Sequence, residues 1–223
     1  MTPNSKTTAV LTVLSVFFFE RIASLIISIS TFDAVYRTLT LSLVHVILYL
    51  LPLKNSAGVN IRAPLNFLRS FTSVVFFICL GICLAFVFPP LETGDKSIGL
   101  VRGVLQCAIV PISEELFFRG TLFARLKSAG FEKSALFVGA LLFALCHAGL
   151  SAFCVSFVLG IVLVLYYERT NSLLLPILCH MANNLLSFLT LGRQVSLPLF
   201  TVSFSVCLAL VFLTLCRKRL IYV

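Results

Sequence analysis

"FTSVVFFICLGICLAFVF", Phe71 to Phe88, is a run of eighteen residues without a charge. A bilayer's hydrocarbon core is about 30 Å thick, and a helix needs roughly 20 apolar residues to cross it. Runs of this kind recur along all 223 residues, of which 60% are hydrophobic and 11% charged, with a mean hydropathy of +1.10. Soluble domains carry about 25% charged residues. The chain therefore reads as an all-α membrane protein, about eight transmembrane helices in one bundle with a membrane-embedded polar cavity. Residues 1–223 read as a single polytopic domain, with spans expected at 8–30, 34–53, 67–89, 98–127, 132–149, 152–168, 171–191 and 197–216. The first run lacks the short core and small-residue cleavage site of a signal peptide, so it is expected to remain as a span.

The connections, among them "PPLETGDKS", "KSAGFEK" and "ERTN", carry the Gly, Ser, Asn, Pro and charge of turns. Of the 17 basic residues, eleven sort with the two termini and three (Arg37, Lys96, Arg193) with the opposite face, while Arg21, Arg102 and Arg119 lie within spans. That asymmetry predicts both termini in the cytoplasm. It also accounts for the net charge of +9 without nucleic acid, leaving the lipid bilayer and a membrane-associated peptide or protein as expected partners. All eight cysteines fall in apolar segments without a CxxC spacing and read as reduced packing residues.

Three polar clusters interrupt the apolar pattern. "PISEELFFRG" (111–120) holds Glu114, Glu115 and Arg119; "FALCHAG" (143–149) holds His147; "LPILCHMANN" (175–184) holds His180, Asn183 and Asn184. A charge at the centre of a spanning helix costs roughly 2.5–3.5 kcal/mol on insertion scales and by default marks function. Glu115 and Arg119 are i and i+4, so they share a helix face and pair. Glu114, turned about 100° away, keeps a carboxylate for chemistry. Segments four and five form a hairpin turning near Gly130, and positions 114 and 147 are equidistant from it, hence at similar depth. His180 and Asn184 also share a face, with Asn183 a usable substitute. A carboxylate and an imidazole sharing one water can polarise it for attack on a carbonyl, and a second imidazole and an amide can donate to the resulting oxyanion.

The EExxxR, FxxxH and HxxxN arrangement of Glu114, Glu115, Arg119, Phe143, His147, His180 and Asn184 resembles the CPBP (CAAX protease and bacteriocin-processing, or Abi) family of intramembrane endopeptidases. The likeness covers a core of about residues 98–191. It implies a glutamate-dependent protease working from the cytoplasmic side, with no cofactor expected. The substrate is left open among CaaX-prenylated tails, bacteriocin leaders and other membrane-associated peptides, and the expected location is a bacterial cell membrane. Carried over by position, Glu114 and His147 activate water, His180 and Asn184 hold the oxyanion, and Glu115 and Arg119 support the geometry.

Three other readings compete, one of them a non-catalytic membrane scaffold, in which Glu114 would tolerate glutamine. Glu114, His147 and His180 could bind a catalytic zinc with an open fourth position, although the contiguous HExxH signature is absent. A proton-coupled transporter also buries carboxylates and histidines. No inverted repeat supports it, although Pro111 and Pro176 interrupt segments four and seven. Phe143, Cys146 and Cys179 read as packing and His45 as structural. Glu20 and Arg21 are adjacent, compatible with lining the cavity or with pairing to another segment such as Arg102.

Overall fold

The computed structural model of the chain describes residues 3–29, 34–50, 67–89, 103–147, 149–190 and 194–220. Among them are eight helices and no strand: α1 (Pro3–Ser28), α2 (Ala34–Leu50), α3 (Phe67–Val87), α4 (103–128), α5 (Glu132–Leu145), α6 (Leu150–Thr170), α7 (Leu174–Thr190) and α8 (Leu197–Leu220). Each falls on one of the eight expected runs. Arg102, Lys96, Arg193 and the side chains of Arg37 and His45 lie outside the described residues.

The segments Val10–Ser28, Ser70–Val87 and Leu150–Thr170 are long and apolar enough to cross a membrane, and Thr40–Tyr49, Ser134–Leu145, Leu174–Thr190 and Leu197–Leu213 are shorter apolar helices. Outward faces carry Phe18, Phe19, Leu25 and Phe212, while Glu20, Glu114, Glu115, Arg119 and His180 are buried. A soluble domain has the opposite distribution. This is a membrane helical bundle with polar groups inside.

Helix α4 is the centre of the bundle, touching α1, α2, α5 and α7. Its Phe117, Phe118, Leu122 and Phe123 join Val13 and Phe17 of α1, Tyr49 of α2 and Phe143 of α5 in one apolar cluster. The Tyr49 and Phe117 rings stack at 4.1 Å. A second cluster, Phe77, Leu159, Leu163, Leu175 and Cys179, ties α3, α6 and α7 together, and α8 lies along α3. Cys179 packs as its apolar setting predicts.

The expected hairpin turns at Gly130, whose φ of +95° suits a residue without a Cβ. Gly130 N–H donates to Lys127 O (3.0 Å) and Phe131 N–H to Leu126 O (3.0 Å). These are the two bonds of a Schellman cap, and they satisfy the last carbonyls of α4. Asn171 ends α6 in the left-handed region, and Ser172 Oγ accepts the N–H of Leu174 at 3.2 Å to start α7. Pro176 therefore sits in the first turn of α7, where a missing N–H costs little, and does not interrupt the helix.

One expectation needs correcting. The expected span 132–149 holds His147 inside it, but α5 ends at Leu145 with Cys146 as its cap. Cys146 N–H bonds Phe143 O (3.1 Å) and His147 N–H bonds Ala144 O (3.0 Å), a tightened last turn. Gly149 follows with a φ of +89°, which redirects the chain into α6. His147 thus stands in a turn, beyond the helix.

Candidate active site

Two fully buried charges, Glu115 and Arg119, meet His180 at one carboxylate oxygen. Glu115 Oε1 accepts from Arg119 Nη1 at 2.8 Å and from His180 Nδ1 at 2.9 Å. The first is the i,i+4 pair expected from the sequence, with side chains only 1% and 0% exposed. Arg119 Nη2 donates to Gly160 O of α6 at 3.1 Å, and its guanidinium lies 4.6 Å from the centroid of the Phe143 ring. One arginine thus ties α4 to α5, α6 and, through Glu115, α7. Among the described residues Glu115 Oε2 and Arg119 Nε have no hydrogen-bond partner, so the attraction is concentrated on Oε1.

His180 lies between two carboxylates. Its Nε2 is 3.5 Å from Glu114 Oε2, on the opposite side of the ring from Glu115. An ionised carboxylate only accepts, so the close contact to Glu115 places a hydrogen on Nδ1. His147 is oriented by the same logic. Its Nδ1 is 3.0 Å from Phe143 O, which only accepts, and a neutral ring then leaves Nε2 with its lone pair free. Glu114, His180 and Arg21 are near enough to His147 to act on it electrostatically. The Phe143 ring packs edge-on against His147 (5.0 Å), His180 (5.4 Å) and Phe118 (5.4 Å). Phe143 does pack, and what it packs against is the site.

Asn184 is held by a consequence of a proline. α4 is π-helical over Leu105–Ile109, and Val110 N–H bonds back five residues to Leu105 O. In that register the donor for Gln106 O would come from residue 111, which is proline and has no N–H. Asn184 Nδ2 donates to Gln106 O instead, at 2.9 Å. Asn183 faces elsewhere, for a Cβ on Gly81 of α3 would collide with its Oδ1. Pro111→Ala is expected to supply a competing backbone donor and loosen Asn184. Peptide cleavage should fall about fivefold, the equivalent of the ~1 kcal/mol of such a hydrogen bond. The unfolding midpoint should stay equal or rise, and steady-state cleavage with a thermal melt checks both.

The structure therefore brings Glu114, Glu115, Arg119 and His180 into one contiguous group. His147 joins through Phe143 and the local field, and Asn184 through the Gln106 carbonyl. Among the described residues no group of three or more His, Cys, Asp or Glu side chains is arranged to hold a metal ion. The sequence reading missed Gln106, Tyr49 and the partners of Glu20 and Arg21. Pro111 was the available signal for Gln106, because a proline inside a helix frees a carbonyl that some side chain must meet.

Residues 96–186 match the Rce1-like family model, described as type II CAAX prenyl endopeptidase Rce1-like. That segment of the chain is similar to the Rce1-like family. The Rce1-like segment contains α4, α5, α6 and most of α7, and with them Glu114, Glu115, Arg119, His147, His180 and Asn184. It coincides with the core whose motifs resemble the CPBP family, and α1, α2, α3 and α8 lie outside it. No curated protein and no solved structure matches the chain.

Proposed function

We propose that this protein is an intramembrane endopeptidase in which Glu114 and His147 activate the hydrolytic water. The observation that carries the reading is the buried Glu114–His180–Glu115 arrangement, balanced by Arg119, inside the Rce1-like segment. Water between the Glu114 carboxylate and the bare Nε2 of His147 gives up a proton as its oxygen attacks the scissile carbonyl. With a proton on its own Nε2, His180 donates to the oxyanion, and the second N–H of Asn184 adds to it. Collapse of the intermediate breaks the C–N bond, and the leaving amine takes the proton that water gave up. Pairing with Arg119 dedicates Glu115 to orienting His180, which leaves Glu114 as the base.

The substrate is a membrane-associated peptide. A prenylated CaaX tail comes first, since the matched family is described by that activity, and a leader-bearing peptide second. Both termini face the cytoplasm of a bacterial cell in this reading, which rests on the eleven-to-three distribution of basic residues. The chemistry needs no metal. The test is terminal-peptide mass spectrometry on membranes holding the wild type or Glu114→Gln, with and without a strong chelator. New peptide termini should appear with the wild type, vanish with the variant and survive chelation. Termini lost on chelation would transfer Glu114, His147 and His180 to the zinc reading, and none at all in the native host would end the protease proposal.

A further inference from the structure

A second buried charged group lies beside the site, on helices that the Rce1-like segment does not include. Glu20 of α1 is fully buried. It accepts from Arg21 Nε, from Arg21 Nη2 at 2.6 Å and from Ser24 Oγ at 2.7 Å. Tyr49 of α2 reaches it at 3.4 Å and meets Cys146 Sγ at 3.3 Å. This holds the Arg21 guanidinium in one orientation, and its remaining edge is committed. Arg21 Nη1 donates to Cys146 O at 3.1 Å.

Cys146 is the cap of α5 and the residue before His147. Its carbonyl is among the last of the helix, which have no partner within the helix and carry the negative end of its dipole. A cation hydrogen-bonded there fixes the cap. Among the described residues His147, being outside the helix, is set by its hydrogen bonds to Phe143 O and Ala144 O and by the Phe143 ring. A turn so placed can pivot unless its carbonyl is held from outside.

We propose that Arg21, locked by Glu20, is a positioning residue that sets His147 by holding the Cys146 carbonyl. The inference rests on the protease reading for its kinetic consequence but not for its structural one. An ion pair inside the bilayer is costly, and this one reaches beyond α1 and α2 to the cap that carries the imidazole. It positions through the Cys146 backbone, in addition to its electrostatic effect on His147, and touches no substrate.

The experiment uses the full chain in lipid nanodiscs with an internally quenched farnesylated CaaX peptide. Carbethoxylation of His147 by diethyl pyrocarbonate, read by peptide mass spectrometry with His180 as internal reference, is measured in parallel. Arg21→Met should lower kcat on the order of 10–100-fold with KM nearly unchanged, as a misplaced catalytic group does. It should also speed labelling of His147 relative to His180, and Arg21→Lys should restore most of both. Arg21→Met takes the Arg21 cation away from Glu20, so if it does not fold, Glu20→Gln/Arg21→Gln replaces it, removing both charges together. Unchanged kcat and unchanged His147 labelling in a folded variant would overturn the proposal, as would an effect on KM alone. If the wild type leaves the peptide uncut, the protease reading fails for that substrate, and the labelling rate alone decides the positioning role.

Discussion

Glu114→Gln is expected to remove peptide cleavage almost entirely, by about 10²–10⁴-fold in kcat, the range that a positioned general base supplies. The substitution keeps shape and hydrogen-bonding capacity and removes only the ability to take a proton. Glu114 is buried, and its Oε2 faces His180 Nε2 at 3.5 Å, so the amide enters the same space without a cavity. Burying a neutral amide is easier than burying a carboxylate, so the unfolding midpoint should hold or rise. Loss of cleavage at unchanged or higher stability separates a catalytic role from a structural one. An active Glu114→Gln protein would sink the mechanism, whatever its stability.

Arg119→Leu should behave in the opposite way. Arg119 is fully buried and joins Glu115 Oε1, Gly160 O and the Phe143 face. Leucine fills part of the volume but removes the guanidinium from a fully buried Glu115, leaving His180 as its remaining described hydrogen-bond partner. Breaking a buried pair from one side costs about 3–5 kcal/mol. Activity should go too, because His180 loses the fixed carboxylate that orients its Nδ1. Adding Glu115→Gln should recover much of the stability and little of the activity, since a neutral amide neither strands a charge nor holds the imidazole as firmly. Chemical unfolding in detergent micelles, with both single variants and the double, reads the coupling directly. If the double variant is no more stable than Arg119→Leu, the guanidinium acts by packing and the charge argument fails.

The helices were legible because their causes are local. Long apolar runs, the Gly130 turn and the Asn171–Ser172 junction each state their structure within a few residues. The Glu115–Arg119 pair was legible for the same reason, since both partners lie on one turn of one helix. Three features were not. His147 was drawn into a span because "FALCHAG" is apolar up to the histidine, and only the left-handed Gly149 shows that the helix has ended. The contact of Asn184 with Gln106 depends on α4 adopting a π register, which no nearby residue announces apart from Pro111. The approach of Arg21 to Cys146 spans 125 positions and follows from how α1 packs. Spacing within one helix could describe each motif, but not which helix would close over it.

The packing of α1 and α2 over α4 has a consequence for what a family signature is. Val13, Phe17 and Tyr49 insulate the aromatic face of α4, and insulation asks only for greasy volume, which countless sequences provide. Proton transfer asks for particular atoms at particular places. Recognisable likeness should then thin out where the sheath begins, and the matched boundary at residue 96 falls just ahead of α4. A chain cut back to that boundary would keep every diagnostic letter and lose the wall that keeps them dry. Glu20 and Arg21 are where the sheath stops being anonymous.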